Sequence, residues 1–267
     1  MSGIRVAVAG AKGRMGQEVV KMVLNDPELS LVAAIDSKLD GVPVSEVLGL
    51  ETPVLFYRSL SYALDATKPD VLVDFTVPDT VKANAEVAID SGVRPVIGTT
   101  GLQLEEIEQL DSRCRQQGIG GVVAPNFAIG AVLMMHFAAL AAKYFPHVEI
   151  IEYHHDQKLD APSGTSLKTA ELISMARKEM RQGHPQEEER LDGVRGGYYH
   201  GFRIHSVRLP GLVAHQEVLF GAPGQTLSIR HDSMNRESFM PGVNLAIKKV
   251  MTLQGMVYGL EHLLELD

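Results

Sequence analysis

Short apolar runs alternate with amphipathic segments through the first 127 residues, and this alternation constrains the fold more than any other feature. IRVAVAG (4–10), VLVDFT (71–76) and GGVVAPNF (120–127) are such runs, and they predict buried strands. Between them, segments such as RMGQEVVKMVLND (14–26) repeat apolar residues at helical spacing. Strands that alternate with helices build a parallel sheet covered on both faces, so we expect a doubly wound α/β domain.

The rhythm changes near residue 128. A long apolar helix is predicted at 128–145, and VEIIEYHH (148–155) alternates like a half-buried strand. Further strands are predicted at 201–209, 214–222 and 225–233, after a polar stretch that indicates a solvated loop at 181–197. We therefore expect a second, α+β domain with an antiparallel sheet. The final pattern, at 243–266, predicts a long helix.

A glycine-rich turn, GAKGRMG (10–16), lies between the first strand and the first helix. Its glycines permit a tight turn and a close approach of pyrophosphate, and the helix N-terminus offers N–H groups to phosphate. The spacing is GxxGxxG rather than GxGxxG, and no GK[ST] closes it as a P-loop. Asp36 ends the second strand, where an acid hydrogen-bonds the adenine ribose, so we expect a Rossmann-type nucleotide site. The basic residues nearby are Lys12, Arg14 and Lys38. Each can accommodate a 2′-phosphate, so NADPH remains a candidate cofactor beside NADH.

Two later strands of the same domain also end in candidate cofactor residues. One closes with Gly98-Thr99-Thr100-Gly101 and the other with Ala124-Pro125-Asn126-Phe127. Because ligands bind outside the carboxyl ends of parallel strands, both turns are expected to face the crevice for the nicotinamide. Ordinary loop residues are the alternative interpretation of each turn.

EYHHDQKLDAPSGTS (152–166) combines histidines, acids and a lysine with a turn that opens a helix. Adjacent strand residues point to opposite faces, so His154 and His155 are poorly placed to share a metal ion, and no metal is expected. Taken alone, each histidine fits a structural role as well as a functional one. With Lys158 and the amides of the following helix, however, the stretch predicts a carboxylate receptor beside two proton donors. A reductase of a small carboxylate with a C=C, C=N or C=O bond needs both parts.

Charge and cysteine content narrow the partners. The formal net charge is −8, whereas binding to phosphate backbones relies on a basic surface, so no nucleic-acid partner is expected. Cys114 is the only cysteine, which excludes an intramolecular disulfide. The N-terminus lacks the apolar region of a signal peptide, and no apolar run reaches the ~20 residues of a membrane span. We expect a cytoplasmic protein with no membrane partner.

Five motifs are spread over nearly the whole chain: GAKGRMG, DFT (74–76), GTTG, APNF and EYHHDxKxDAPSGT. In their residues and in their order along the chain, they resemble the motifs of the 4-hydroxy-tetrahydrodipicolinate (dihydrodipicolinate) reductase family. The HHxxKxDAPSGT element is the most specific. The resemblance implies reduction of a cyclic imine dicarboxylate to tetrahydrodipicolinate by NADH or NADPH, in bacterial lysine and diaminopimelate synthesis. It also implies a homotetramer built through the antiparallel sheets. The implied domains are a dinucleotide-binding domain at 1–127, with a C-terminal helix at 241–267 packing back on it, and a substrate-binding and oligomerisation domain at 128–240.

Site residues follow from the resemblance by position. His154 and Lys158 are implied to handle protons during the reaction. Implied to bind the substrate are His155, Ser163, Gly164 and Thr165. Implied to bind the cofactor are Gly10, Ala11, Lys12, Gly13, Arg14, Met15, Asp36, Ser37, Lys38, Phe75, Gly98, Thr99, Thr100, Ala124, Pro125, Asn126 and Phe127.

One departure and two alternatives remain open. Some relatives place an arginine directly after the acid that corresponds to Asp36, whereas this chain has Ser37 and then Lys38, so the preference for NADH or NADPH is undecided. A different nicotinamide-dependent dehydrogenase acting on a small carboxylate is one alternative. A nucleotide-sensing module without activity is the other, but it has no reason to keep the His-His-Lys stretch.

Overall fold

The computed structural model of the chain describes residues 3–266. Two compact units are present: unit 1 takes in the chain up to Phe127 together with the segment from Phe239, and unit 2 is Ala128–Ser238. Among the described residues, no helix is long and apolar enough to cross a membrane.

Unit 1 contains a seven-stranded sheet in which every neighbouring pair is parallel, with the order β12-β6-β5-β4-β1-β2-β3. Its strands are β1 (Ile4–Ala9), β2 (Leu29–Ile35), β3 (Phe56–Tyr57), β4 (Val71–Asp74), β5 (Arg94–Ile97), β6 (Gly120–Val123) and, last in the chain, β12 (Gly255–Tyr258). Its helices are α1 (Arg14–Asn25), α2 (Val44–Leu48), α3 (Leu60–Thr67), α4 (Pro78–Asp90), α5 (Leu104–Gln117) and α8 (Met240–Lys249). All four residues of β4 and of β6 are buried, as expected for parallel strands covered on both faces.

The predicted C-terminal helix over 241–267 is wrong beyond Lys249. Helix α8 passes into a 3₁₀ turn at Val250–Thr252, then strand β12, then a second 3₁₀ turn at Leu260–Leu263; residue 267 lies outside the described residues. Gly255 has φ +89° and donates its N–H to the carbonyl of Ile119, 3.0 Å away. The segment Gly255–Tyr258 thus pairs with β6 at the edge of the sheet, although helical spacing in the sequence predicted a helix there.

Unit 2 is an α+β unit whose five-stranded sheet has the order β11-β10-β7-β9-β8. Its elements are α6 (Ile129–Ala142), β7 (His147–His154), α7 (Gly164–Ala176), β8 (Gly197–Tyr199), β9 (Phe202–Arg208), β10 (Ala214–Ala222) and β11 (Gln225–Ser233). The predicted fold class is confirmed, with two refinements. The pair β7–β9 is parallel, because α7 lies in the crossover between these strands, so the sheet is mixed. The segment predicted as a loop ends in the short edge strand β8.

Helices α6 and α7 cover one face of this second sheet. Ala138, Ala142, Ala170 and Ile173 of the helices pack against the apolar side chains of the strands. On β7 the even-numbered residues from Val148 to Glu152 are buried and the odd-numbered ones are more exposed. This parity places a glutamate on the face of the sheet that packs against the helices.

Candidate active site

A cleft of about 420 Å³ opens in unit 1 at the carboxyl ends of β1, β2 and β4. Parallel α/β sheets bind ligands at this edge. Residues that line the cleft are Ala9, Gly10, Gly13, Ile35, Asp36, Ser37, Arg58, Leu60, Phe75, Thr76, Val77, Thr80 and Asn84. Of the predicted cofactor residues, the lining includes Gly10, Gly13, Asp36, Ser37 and Phe75.

The glycine turn is shaped for close backbone packing. Gly10 has φ +75°, and a Cβ there would overlap the carbonyl of Phe75. A Cβ at Gly16 would overlap the carbonyl of Gly10, so helix and strand approach through glycine. Gly13 is the N-cap of α1 and has no side chain to cap the first-turn amides. These features fit a dinucleotide, whose pyrophosphate accepts such amides.

At the end of the cleft that lies after β2 and β3, Arg58 lies with the predicted residues Asp36 and Ser37 in the lining. The sequence analysis did not predict this arginine. Asp36 directly follows β2, and its Oδ1 accepts a 3.0 Å hydrogen bond from the backbone N–H of Lys38. Arg58 directly follows β3, and its backbone N–H donates to Oδ1 of Asp40 at 3.1 Å. Because β3 pairs with β2 in parallel, the residues after both strands meet at one edge, and Arg58 lines the cleft beside Asp36 and Ser37.

A buried carboxylate that the sequence analysis did not single out organises the centre of the cleft. Asp74 is 1 % exposed, and its Oδ1 accepts hydrogen bonds from the amide (2.9 Å) and hydroxyl (2.7 Å) of Thr76. The hydroxyl of Thr99 donates to the same oxygen at 2.8 Å, and Asn84 donates to Oδ2 at 2.8 Å. The predicted residue Thr99 is therefore buried in the wall, with its hydroxyl committed to Asp74.

Aromatic packing fixes the position of Phe75. Its ring lies 5.9 Å from the ring of Phe127, centroid to centroid, and a Cβ at Gly98 would overlap it. Ala11, Ala124 and Phe127 are buried, whereas Lys12, Arg14, Lys38, Thr100 and Pro125 are exposed, and Met15 and Asn126 are intermediate. The buried residues shape the wall rather than present side chains to a ligand.

In unit 2 the predicted proton-handling residues lie where β7 ends. Nδ1 of His154 hydrogen-bonds Oε2 of Glu152, which is fully buried. Arg208 of β9 donates from Nη2 to Oε1 of the same carboxylate at 2.7 Å. Burial disfavours ionisation of Glu152, but the hydrogen bonds from His154 and Arg208 outweigh it and lower its pKa to about 2. The side chain of His155 is exposed.

The loop after β7 carries the second predicted proton donor. Nζ of Lys158 lies 2.7 Å from Oδ1 of Asp160, and this hydrogen bond lowers the pKa of the aspartate. The carbonyl of Asp160 in turn accepts a 2.7 Å hydrogen bond from Nη2 of Arg208. Lys158 and His154 are thereby connected through three intervening residues.

The predicted carboxylate receptor is the first turn of α7. Ser163 is its N-cap, and its hydroxyl accepts the backbone N–H of Ser166 at 3.2 Å. Because Ser163 is 4 % exposed, it builds the turn rather than facing a ligand. A Cβ added at Gly164 would meet no described atom within 4 Å, so an anion has room to reach the backbone there.

A buried amide attaches this turn to the sheet. Gln216 of β10 accepts from the hydroxyl of Ser166 at 2.6 Å and donates to the hydroxyl of Thr169 at 2.7 Å. Both serine and threonine belong to α7, so the helix start is held at a fixed position over the strand. In the described part of the chain, no group of three or more His, Cys, Asp or Glu is placed to hold a metal ion.

A dinucleotide-type cleft in the parallel sheet of unit 1, and predicted proton donors beside a helix start in unit 2, are the features expected of a nicotinamide-dependent oxidoreductase of Rossmann type. The comparisons with known proteins agree. Family models for the N-terminus and the C-terminus of dihydrodipicolinate reductase match residues 4–127 and 130–264. The chain belongs to the dihydrodipicolinate reductase family, whose members are NAD(P)H-dependent reductases of lysine and diaminopimelate biosynthesis.

Individual relatives match over all or nearly all of their length. The chain is 59 % identical over 265 residues to the 4-hydroxy-tetrahydrodipicolinate reductase of Halalkalibacterium halodurans, covering 98 % of this chain and 100 % of that protein. The Bacillus subtilis enzyme of the same name is 53 % identical, with 98 % of each chain covered. Among solved structures, the dipicolinate-bound dihydrodipicolinate reductase of Paenisporosarcina sp. TG-14 superposes with a TM-score of 0.89 at 51 % identity, covering 98 % of this chain and 100 % of that one.

Proposed function

We propose that this chain reduces 4-hydroxy-tetrahydrodipicolinate to tetrahydrodipicolinate, using either NADH or NADPH. The observation that carries the proposal is the arrangement in unit 2, where His154 ends β7, Lys158 follows on the next loop and α7 begins with an accessible backbone. The Paenisporosarcina relative binds dipicolinate, a dicarboxylate of the kind that such a receptor accepts.

Unit 1 holds the cofactor in this proposal. The turn from Gly10 to Met15 receives the pyrophosphate, and the strand ends at 98–100 and 124–127 lie toward the nicotinamide. When bound, the reduced nicotinamide supplies a hydride to the substrate.

Mixed chemistry at the end of the cleft beside Asp36 supports the use of either cofactor. The carboxylate of Asp36 accepts a hydrogen bond from a ribose hydroxyl, which is the contact typical of NADH binding. Lys38, Ser37 and Arg58 are donors at the same end, and a 2′-phosphate accepts charged donors readily.

Unit 2 receives the substrate and handles protons. His155 and the first-turn amides at Gly164 and Thr165 bind a carboxylate, with Ser163 shaping the turn. The ammonium of Lys158 stabilises negative charge that develops at the ring nitrogen, and His154 returns a proton to carbon. A positioned proton donor of this kind contributes roughly 10²–10⁴-fold to the rate.

Assembly and location complete the proposal. One face of the unit 2 sheet is covered by helices, while Val213 and Leu219 remain partly exposed at 39 % and 38 %. We propose that the sheets of four copies associate, as the family resemblance implies, and that the enzyme works in the cytoplasm, where reduced nicotinamide nucleotides are available.

A coupled assay tests the reaction. The preceding synthase generates substrate from pyruvate and aspartate semialdehyde, and oxidation of NADPH and of NADH is followed with and without pyridine-2,6-dicarboxylate. We expect oxidation of both cofactors, inhibited by the dicarboxylate. A folded protein that binds nucleotide but oxidises neither cofactor would refute the proposal. In that case the alternative, another nicotinamide-dependent dehydrogenase of a small carboxylate, is examined by substrate profiling.

Variants test the roles in unit 2. Lys158→Met is expected to lower kcat by roughly 10²–10⁴-fold while the Kd for NADPH is unchanged. Lys168→Met is the matched control, because Lys168 is an exposed lysine of α7 paired with Glu171. If kcat of Lys158→Met stays within a few-fold of the parent, Lys158 does not stabilise the charge that develops at the ring nitrogen.

A further inference from the structure

Glu152 is a fully buried carboxylate on the face of β7 that packs against the helices. The two preceding residues of this face, Val148 and Ile150, belong to the apolar core. Burying a charge in such a place is costly unless it is paired and hydrogen-bonded. Glu152 is paired on both of its oxygens, with His154 on one side and Arg208 on the other.

The partner on the second oxygen connects the carboxylate to the lysine loop. Nη2 of Arg208 contacts both Oε1 of Glu152 and the carbonyl of Asp160, each at 2.7 Å. The side chain of Asp160 holds the ammonium of Lys158, also at 2.7 Å. A continuous chain of contacts therefore runs from His154 through Glu152, Arg208 and Asp160 to Lys158.

The charge state of Glu152 determines which nitrogen of His154 is reactive. An ionised carboxylate only accepts hydrogen bonds, so Nδ1 of His154 must carry a proton. Nε2 is then the nitrogen that is left to exchange a proton with the substrate. Glu152 itself is buried beneath the site and has no surface from which to contact a substrate.

We propose that Glu152 and Arg208 are positioning residues: Glu152 fixes the tautomer and orientation of His154, and Arg208 ties the same carboxylate to the loop that carries Lys158. This inference rests on the proposed function, because it acts through the two proton-handling residues. It adds to that function that the pair Glu152 and Arg208 positions both His154 and Lys158. Loss of either link disturbs proton transfer without disturbing the nucleotide cleft of unit 1.

Histidine ¹⁵N NMR of the unaltered protein tests the tautomer directly. In neutral His154, assigned by comparison with His154→Gln, the proton is expected on Nδ1. A spectrum with the proton on Nε2 overturns the inference, and this measurement does not depend on any activity.

Kinetics of Glu152→Gln provide the second test. We expect kcat to fall at least about 10-fold, within the range that a positioned proton donor contributes, and the shape of its pH profile to differ from that of the parent. The Kd for NADPH is expected to remain unchanged. Arg208→Lys, which keeps the charge but not the two-point contact, is expected to lower kcat while leaving the His154 tautomer on Nδ1.

Glu149→Gln is the matched control. Glu149 lies on the same strand and bridges His205 (2.7 Å) and Arg195 (2.6 Å), a similar arrangement that involves no proposed catalytic residue. Its pH profile is expected to match that of the parent. An equal loss of kcat in both glutamate variants, with an unshifted pH profile, indicates a general structural role and overturns the inference. If His154→Gln retains the parental kcat while the Nδ1 tautomer is observed, the proposed function fails but the tautomer assignment stands.

Discussion

The hydroxyl of Thr99 donates a 2.8 Å hydrogen bond to Oδ1 of Asp74, and this contact joins the ends of two neighbouring strands in unit 1. Thr76 and Asn84 donate to the same carboxylate. The position of the cleft wall thus depends on one buried acid that has no predicted contact with the cofactor.

Asp74→Ala is expected to destabilise unit 1 and weaken cofactor binding together. The substitution leaves several buried donors without an acceptor, at a cost of about 1–3 kcal/mol for each donor that stays unsatisfied. Thermal unfolding and a fluorescence titration with NADPH measure the two effects. Asp79→Ala, at an exposed position of α4, serves as the control and is expected to change neither quantity much.

Gly98→Ala is expected to weaken nicotinamide nucleotide binding by displacing an aromatic ring. The new methyl group would overlap the ring of Phe75, which lines the cleft and packs against Phe127. We expect the Kd for both NADH and NADPH to rise by about 10-fold, since overpacking of this kind typically costs 1–3 kcal/mol. Gly221→Ala introduces a methyl group into space free of described atoms within 4 Å, and parental affinity is expected there. Unchanged affinity of Gly98→Ala would show that the ring moves without consequence.

Arg58→Ala is expected to separate the two cofactors. Removing a guanidinium that contacts a phosphate costs about 1.5–3 kcal/mol, so the Kd for NADPH should rise by at least about 10-fold while that for NADH changes little. Isothermal titration with each nucleotide gives both values. Arg113→Ala removes an arginine that pairs with Asp90 on the neighbouring helix α4, and it is expected to leave both affinities as they are. Equal losses for NADH and NADPH would mean that Arg58 does not read the 2′-phosphate.

Glu152 is expected to make a pH-dependent contribution to stability. Its folded-state pKa of about 2 lies below the ordinary value of 4.5, so the contribution is complete above the ordinary value and is lost as pH falls through the folded value. The difference in unfolding free energy between the parent and Glu152→Gln, on the order of 3 kcal/mol at neutral pH, should therefore narrow between about pH 4.5 and pH 2. Urea unfolding across this range measures it, and a constant difference would contradict the assignment.

Cys114 is expected to resist alkylation in the folded protein. Its side chain is fully buried on α5, and burial, together with the charge of Asp111, raises its pKa to about 11. Thiolate is the reactive form, so iodoacetamide near neutral pH should modify the thiol slowly until denaturant is added. Rapid modification without denaturant would show that α5 opens readily.

Much of the architecture follows from periodicity because burial on both faces leaves a strong pattern. The strands from β1 to β6 that contribute long apolar runs were predicted on this basis, and the fold class is confirmed. Strand β3 has two residues, too few for any periodicity, so Arg58 was missed with it. The signal in the sequence was slight: an arginine directly after an apolar Phe-Tyr pair. Strand β12 was missed because its pairing partner β6 is 135 residues earlier in the register (Gly255 with Gly120).

Individual site residues are less accessible from sequence than the motifs that contain them. The identities of His154, Lys158 and Gly164 were predicted, and their roles stay predictions. The alternation of β7 already indicated that Glu152 shares a face with apolar Val148 and Ile150, which marks a buried charge in need of partners. Its second partner, Arg208, is 56 residues away in sequence, and no local pattern connects the two.

Strand β12 also determines the order in which the chain can mature during synthesis. Unit 2 is one continuous segment, Ala128–Ser238, whereas the sheet of unit 1 requires residues from both sides of it. A ribosome releases chain from the N-terminus onward, so every residue of unit 2 emerges before Gly255–Tyr258 can pair with β6. Until then β6 presents an unpaired edge, a hazard for aggregation. The strand of this sheet that is translated after all the others is therefore the one that covers the exposed edge of the nascent enzyme.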